Sequence, residues 1–497
     1  MGIEVLHQSL SIGVVDEGNL HRTDLERLRL TAEIQTNLNP KATGPAQFRP
    51  GTKYLSATKS SAECLLLPFV AGEADGFLLE LTTLVLRVRD ADDDALVTRT
   101  AVTSVVTNGD FSSGTGWTLA STSGQSSTIS GGLLTLAARA HGGLASCKRE
   151  CTTVETGTEH ALRIVVTRGP VMFRCGSSDG GEEYISETPL KTGTHSLAFT
   201  PSGNFWVQFT TTSQVNRIVT SCTVEAAGVM ELPTVWPLAA LPELRVAQSL
   251  DVIFCACAGY KQQRIERRGD TSWSVVDYDS DDGPFMVANQ TDITLLPAAT
   301  EGNTTLTASR PYFTADMVGQ LFQIYHEGQK IETYLAGANQ FTPAFLVSGV
   351  TETNVEDREW TVAITGTWVG TLRHGRSFDG EDFEFHEYRR EQASATVDIT
   401  GNATYTNDDN EDNVLVYYRM GFPTGLYTSG EAAIDFSYNG GGGLGICRVV
   451  GFTSSTVVDI EVLKPFLGKH ASKDWQAGEW SAENGYPAAV KIDDGRL

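Results

Sequence analysis

Gly176-Ser177-Ser178-Asp179-Gly180 has the spacing of the G-x-S-x-G elbow, in which a strained strand-to-helix turn lifts a nucleophilic serine out of a sheet. That chemistry needs a helix directly after the elbow, together with a placed His and an acid. Gly181-Glu182-Glu183-Tyr184-Ile185 instead reads as a turn returning to a strand, so a hairpin loop is expected. Asp277-Tyr278-Asp279-Ser280-Asp281-Asp282-Gly283 carries the first three acids of a calcium loop. Its glycine comes one place late and Ala288 stands where the bidentate Glu belongs, which predicts a solvated acidic turn. Gly440-Gly441-Gly442-Gly443-Leu444-Gly445 lacks the Lys-Ser/Thr and the helix of a phosphate cradle, and predicts a hairpin tip. Arg268-Gly269-Asp270 predicts a turn between strands. The nine His are scattered, with no H-E-x-x-H and no close pair. Nothing assigns nucleophile, base and orienting group, so no enzyme, catalytic residue, metal site or cofactor is expected.

The eight Cys (64, 147, 151, 175, 222, 255, 257, 447) are too sparse for a disulfide scaffold. Cys255 and Cys257 lie on one strand with no second close pair at zinc spacing, so buried free thiols are expected. Cys147, Cys151, Cys175 and Cys222 share one segment and could pair in an oxidising medium. Six aromatics in that segment, Phe111, Trp117, Phe173, Tyr184, Phe205 and Trp206, admit two readings. They supply what a ~120-residue sandwich core needs, and Tyr184, Phe205 and Trp206 are candidates for stacking on a glycan.

The elements that must position these groups are nearly all strands: short β-branched and aromatic runs broken by Gly, Asn, Asp and Ser. One short N-terminal helix is predicted over 23–36, where Thr23 and Glu26 form a capping box and Leu25, Leu28 and Ala32 share a face. The fold class is all-β. Texture divides the chain at 1–103, 104–226, 227–290, 291–368, 369–474 and 475–497. The Ser, Thr and Gly-rich segment 104–226 reads as an insertion, because the hydrophobic strand texture of 64–90 resumes at 244–280.

Lys and Arg number 37 against 61 Asp and Glu, a net charge of −24 over 497 residues. That balance argues against a protein that wraps DNA through phosphate contacts. No apolar run approaches the ~18 residues of a membrane span, and the start has no basic stretch ahead of an apolar one. The expectation is a soluble protein made inside the cell, without stable membrane insertion.

Asn108-Gly109-Asp110-Phe111 with Gly116-Trp117, followed by Ile129-Ser130-Gly131-Gly132-Leu133-Leu134-Thr135-Leu136, resembles the opening of jelly-roll domains of the carbohydrate-binding-module type. In that family the opening is structural, so the resemblance implies a fold rather than a sugar site. A second series covers most of the remaining chain. Thr23-Asp24-Leu25-Glu26-Arg27, Arg49-Pro50-Gly51-Thr52-Lys53-Tyr54, Val246-Ala247-Gln248-Ser249-Leu250-Asp251-Val252 and Gly366-Thr367-Trp368-Val369-Gly370-Thr371 come in order. With Arg376-Ser377-Phe378-Asp379-Gly380, Trp475-Gln476-Ala477-Gly478-Glu479-Trp480-Ser481 and Gly485-Tyr486-Pro487, they resemble the tail nozzle or tail-tube proteins of short-tailed bacteriophages.

That resemblance implies a propeller-like platform decorated by small β domains, one of them a β-barrel-like domain at 291–368. It also implies a virion protein, assembled in the host cytoplasm as a homo-oligomeric ring, expected to be a hexamer. The ring would sit below the portal and adaptor proteins, carry tail fibres or spikes, and pass genomic DNA through its lumen without specific binding. An acidic wall suits such a conduit, since each cationic phosphate contact adds affinity and slows sliding. Asp24, Leu25, Arg49, Pro50, Gly51 and Thr52 are the assembly candidates. The alternative is a host-surface glycan-binding adhesin or fibre-attachment protein acting through the inserted jelly roll.

Overall fold

A computed structural model describes residues 9–19, 24–72, 75–121, 126–138, 143–347, 359–383, 398–408 and 415–493. The chain falls into two compact units, Met1–Ser60 and Ser61–Leu497. The described residues are nearly all β, as the strand texture predicts.

The first unit has little regular structure. A parallel bridge joins Gly13–Val14 to Thr31–Ala32, and an antiparallel one joins Leu38–Pro40 to Ala46–Phe48. The helix expected over 23–36 is present only as a five-residue 3-10 turn, Glu26–Leu30, whose preceding residue Leu25 has no side-chain cap; Thr23 lies outside the described residues. The apolar stripe of that segment finds little to pack against, because among the described residues of the unit only Gly13 and Thr31 are buried. A short helix without tertiary packing does not persist in water.

The described residues of the second unit form four hydrophobic cores. In the platform, a four-stranded sheet runs Glu231–Pro233, Val85–Asp90, Gly76–Thr82, Leu65–Val70. It shares a core with strands Ser272–Asp277, Tyr260–Gly269 and Val252–Cys257 of a second sheet, whose edge strand is Arg245–Ser249. Trp273 fills the middle, edge-on to Phe69 at 5.0 Å and Phe77 at 5.2 Å. The inserted segment forms a sandwich of two five-stranded antiparallel layers around Phe111, Phe173, Phe205, Val207 and Phe209. Its strand Gly193–Phe199 pairs with Ser272–Asp277 of the platform, so one sheet of nine strands runs through both modules.

Beyond residue 290, strand pairing crosses the expected division at 368. Strands Leu321–Leu335 and Glu359–Gly370 both pair with the 28-residue strand Tyr427–Ser454. The two long strands feed two cores. Phe322, Ile324, Cys447 and Val449 belong to one, and Ile331, Leu335, Ile434 and Phe436 to the other. No sheet closes on itself among the described residues. The barrel expected at 291–368 is therefore an open sheet, and the platform expected to be propeller-like is a two-layer packing within this chain. The glycine run at 440–445 lies inside Tyr427–Ser454, between the two cores, and is not a hairpin tip. A Cβ there would collide with Tyr325 at Gly442, Leu467 at Gly443 and Phe466 at Gly445. The glycines let these side chains lie flush on the strand.

His195 and His326 are buried in these sheets. His195 contacts Ser274 Oγ at 2.8 Å and Lys191 O at 2.9 Å, and the ring of His326 lies 4.9 Å from that of His470. Burial pushes His195 down to about 3, with Arg268 adding to the effect, and His326 down to about 4, with His470 adding. Each stays neutral in the fold, whereas in the unfolded chain each takes a proton near pH 6.5. Their contribution to stability is complete above pH 6.5 and is lost as the pH falls from there towards about 4 for His326 and about 3 for His195. The melting temperature is expected to be level from pH 7 to 8 and to drop below 6.5, less steeply in a His326→Gln variant. Scanning calorimetry across pH 8 to 4 reads this, and a flat profile would contradict it.

Candidate functional site

Strand alternation decides the fate of the aromatic candidates. On Phe205–Thr211, Phe205, Val207 and Phe209 face the core. Phe205 is fully buried, 5.0 Å from Phe199 and 6.3 Å from His160, so it cannot stack on an external sugar. Tyr184 is half-buried against the same core. Its hydroxyl lies 3.0 Å from Ser202 Oγ and accepts the Ser202 N–H at 3.1 Å, which ties the ring down as a corner of the sandwich.

Trp206, half-buried, points the other way, across from Glu150 and Gly176 on the neighbouring strands. Around it the sheet face is polar. Arg174 Nε donates to Gln208 Oε1 at 3.0 Å and its guanidinium pairs with Glu182 at 3.3 Å, while Asn204 Nδ2 donates to Glu150 Oε1 at 3.2 Å. An indole beside amides and carboxylates is the chemistry that meets a neutral sugar ring, with the flat face against C–H groups and the polar atoms against hydroxyls.

The sequence motifs resolve into structural parts. Asn108 O accepts the Trp117 indole N–H at 3.0 Å, and a Cβ at Gly109 would strike the Cys222 carbonyl, so this opening clamps the sandwich. The Gly176–Gly180 stretch ends a strand and turns, with Asp179 paired to Lys148 at 2.5 Å. All eight cysteines are free, seven of them buried, and burial pushes Cys147 and Cys151 up to about 12. Among the described residues, no group of three or more His, Cys, Asp or Glu could hold a metal ion.

The assembly candidates Asp24, Leu25, Arg49, Pro50, Gly51 and Thr52 are all exposed. Arg49 donates from Nε to Asn37 Oδ1 at 2.7 Å and from its backbone N–H to Asn37 O at 3.0 Å, pinning the chain ahead of Pro50. Sequence reasoning passed over a signal in the same stretch. Residues 37–60 carry Lys41, Arg49, Lys53 and Lys59 and no acidic residue, in a chain of net charge −24. Counting charge by segment rather than over the whole chain exposes it.

Two ionic clusters, one buried and one partly exposed, were also illegible from sequence. At the seam between insertion and platform, Arg99 Nε meets Glu225 Oε2 at 2.6 Å, and Arg163 pairs with the other oxygen. Arg99 also donates to Thr271 O at 2.8 Å, and Ser196 donates to Glu225 at 2.8 Å. The second cluster uses the acidic turn, which is not merely solvated. Lys261 holds Asp277 at 2.8 Å and Asp279 at 2.7 Å, while Arg448 holds Asp281 at 3.0 Å and Glu461 at 2.9 Å. Arg217 of the sandwich reaches Glu461 at 3.8 Å, so three modules meet there. Burial opposes ionisation of Asp279, yet Lys261 and Arg448 hold its carboxyl below the ordinary value.

No family model and no curated protein matches the chain. Among solved structures, an IolB-like protein from Salmonella typhimurium LT2 is 10% identical with a TM-score of 0.14, covering 64% of this chain and 92% of its own. Hazelnut (Corylus avellana) vicilin is 8% identical with a TM-score of 0.11, covering 66% and 85%. Procruciferin, an 11S globulin from Brassica napus, is 10% identical with a TM-score of 0.11, covering 68% and 87%. These scores carry no argument about this chain.

Removing one partner from a buried ion cluster strands the other charge away from water. Arg99→Met is expected to cost about 3 kcal/mol in chemical denaturation, and adding Glu225→Gln should recover part of it. A loss under about 1 kcal/mol for Arg99→Met would show that the seam does not depend on this cluster.

Proposed function

We propose that the chain is a structural, non-catalytic subunit of the tail nozzle of a short-tailed bacteriophage, one of the copies of a homo-oligomeric ring, most simply a hexamer. The ring would attach below the portal and adaptor, carry fibres or spikes, and form the channel for DNA ejection. The observation that carries the reading is the way the modules are joined. One sheet runs through platform and insertion, two long strands run through both later cores, and ion clusters close the seams. A wall that must hold its shape around a moving duplex needs such joints, whereas a flexible display module does not. The ordered motifs from Thr23-Asp24 to Gly485-Tyr486-Pro487 support the same reading. So does the charge of the chain, since an acidic wall repels DNA over about one Debye length, ~8 Å at physiological salt. Electron microscopy of the purified full chain is expected to show rings with an axial hole, and a population of monomers alone at assembly concentrations would overturn the reading.

One observation favours a glycan-binding role for the insertion: Trp206 stands half-exposed among Glu150, Arg174 and Gln208. On this reading the insertion holds a host-surface glycan. Retention on a glycan array that disappears in Trp206→Ala, with the melting temperature kept, is the expected result. Array signal that is absent, or indifferent to that substitution, removes the role.

A further inference from the structure

The first unit is short of anything to fold around. Only Gly13 and Thr31 are buried among its described residues, while Ile34, Phe48 and Tyr54 are about four-fifths exposed, at 78%, 81% and 80%. Ordering backbone into bridges costs conformational entropy that must be offset by burial, and this unit provides almost none by itself. Its charge is segregated as well. Residues 37–60 hold four cations and no acid, whereas residues 61–497 hold 30 Lys and Arg (37 less 7) against 55 Asp and Glu (61 less 6). An apolar, basic stretch of this kind complements the acidic body of another copy in both respects.

The larger unit offers a matching edge. Among the described residues, strands Leu65–Val70 and Arg245–Ser249 are each the last strand of their sheet. One side chain bridges them: Gln248 accepts the Val70 N–H at 3.2 Å and donates to Val70 O at 2.7 Å and Leu250 O at 2.9 Å. Beside this bridge Leu66 and Val70 are exposed, and Leu250 is 87% exposed in a left-handed turn (φ 49°). Asp251 follows directly, its carboxylate paired with Arg267 at 3.0 Å on one side and about half exposed. Exposed apolar side chains, two sheet edges and an acid therefore lie together, the features of a surface that accepts an extended segment.

We propose that residues 37–60 of one copy dock on the Leu65–Val70 and Arg245–Ser249 edges of a second copy, with Phe48 and Tyr54 seated on Val70 and Leu250. Arg49 and Lys53 face its carboxylates. The inference rests on the reading above in that both require the chain to self-associate. Donor and acceptor are different surfaces, so the contact is head-to-tail, the kind that repeats from copy to copy and closes into a ring.

Native mass spectrometry and analytical ultracentrifugation of the full chain test this with surface substitutions on each side. The donor-defective chain is Phe48→Ser with Tyr54→Ser, the acceptor-defective chain Val70→Ser with Leu250→Ser, and the charge-reversed chain Arg49→Glu with Lys53→Glu. Circular dichroism melts confirm that each is folded. Each should raise the association midpoint at least tenfold, and raised salt should weaken the native chain in the same direction. Mixing donor-defective with acceptor-defective chains should restore one contact per pair and give dimers that grow no further. If the native chain assembles and none of the three variants changes it, the docking is wrong while the ring reading stands. A native chain that stays monomeric at every concentration ends the ring reading itself. Should the charge reversal abolish binding to a short DNA duplex and leave assembly untouched, the basic stretch serves nucleic acid and the docking is overturned.

Discussion

Strand Gly193–Phe199 has to satisfy two modules at once. One side pairs with His160–Arg168 inside the sandwich and the other with Ser272–Asp277 of the platform. At that seam Gly193 adopts a φ of 144°, and a Cβ on it would strike the Val275 carbonyl, so the backbones approach as closely as they do only because a glycine is there. The polar side chains trapped alongside, Ser196, Ser274 and His195, are usable only when partnered. Arg99 and Glu225 come from the two chain crossings that connect insertion to host, and bring charge into the same buried place. Such a cluster does not by itself make a protein more stable, but it makes misalignment costly, because a shift of the seam leaves a charge or hydroxyl buried alone.

The second cluster applies the same constraint further along the chain. Asp277, Asp279 and Asp281 look from sequence like a turn that water would solvate. Their partners are Lys261, 16 residues before Asp277, and Arg448, 167 residues after Asp281. Residues so far apart in sequence leave no local pattern, which is why the acids were visible and their use was not. Residue types alone say that these groups are charged; the topology determines whether they face solvent or each other.

Local pattern read the strands well and the cores in part. The Asn108–Trp117 opening was legible as a structural device, and Phe111 and Trp117 are indeed in the sandwich core, 5.1 Å apart. The division of Phe205 from Trp206 was available in principle, since neighbours on a strand face opposite ways. It needed only the register of Phe205–Thr211 against a known core. The helix over 23–36 was misread for the opposite reason, its spacing being sound while the described residues of its unit bury almost nothing beside it. The glycines at 440–445 misled because a run of glycine signals a turn unless bulky neighbours such as Tyr325 and Phe466 occupy the space it frees.

The two long strands have a mechanical consequence. Leu321–Leu335 and Tyr427–Ser454 each place one end in one core and the other end in the next, so the two cores share a pair of ribs. A load applied to either core passes along the covalent backbone of both strands, which the cross-strand hydrogen bonds hold side by side through both cores. The glycine stretch sits at the midpoint of these ribs, where side-chain bulk is least and the ladder is broken by a bulge between Glu327 and Gln329. Bending strain would gather at that crease, leaving the packed ends on either side undeformed.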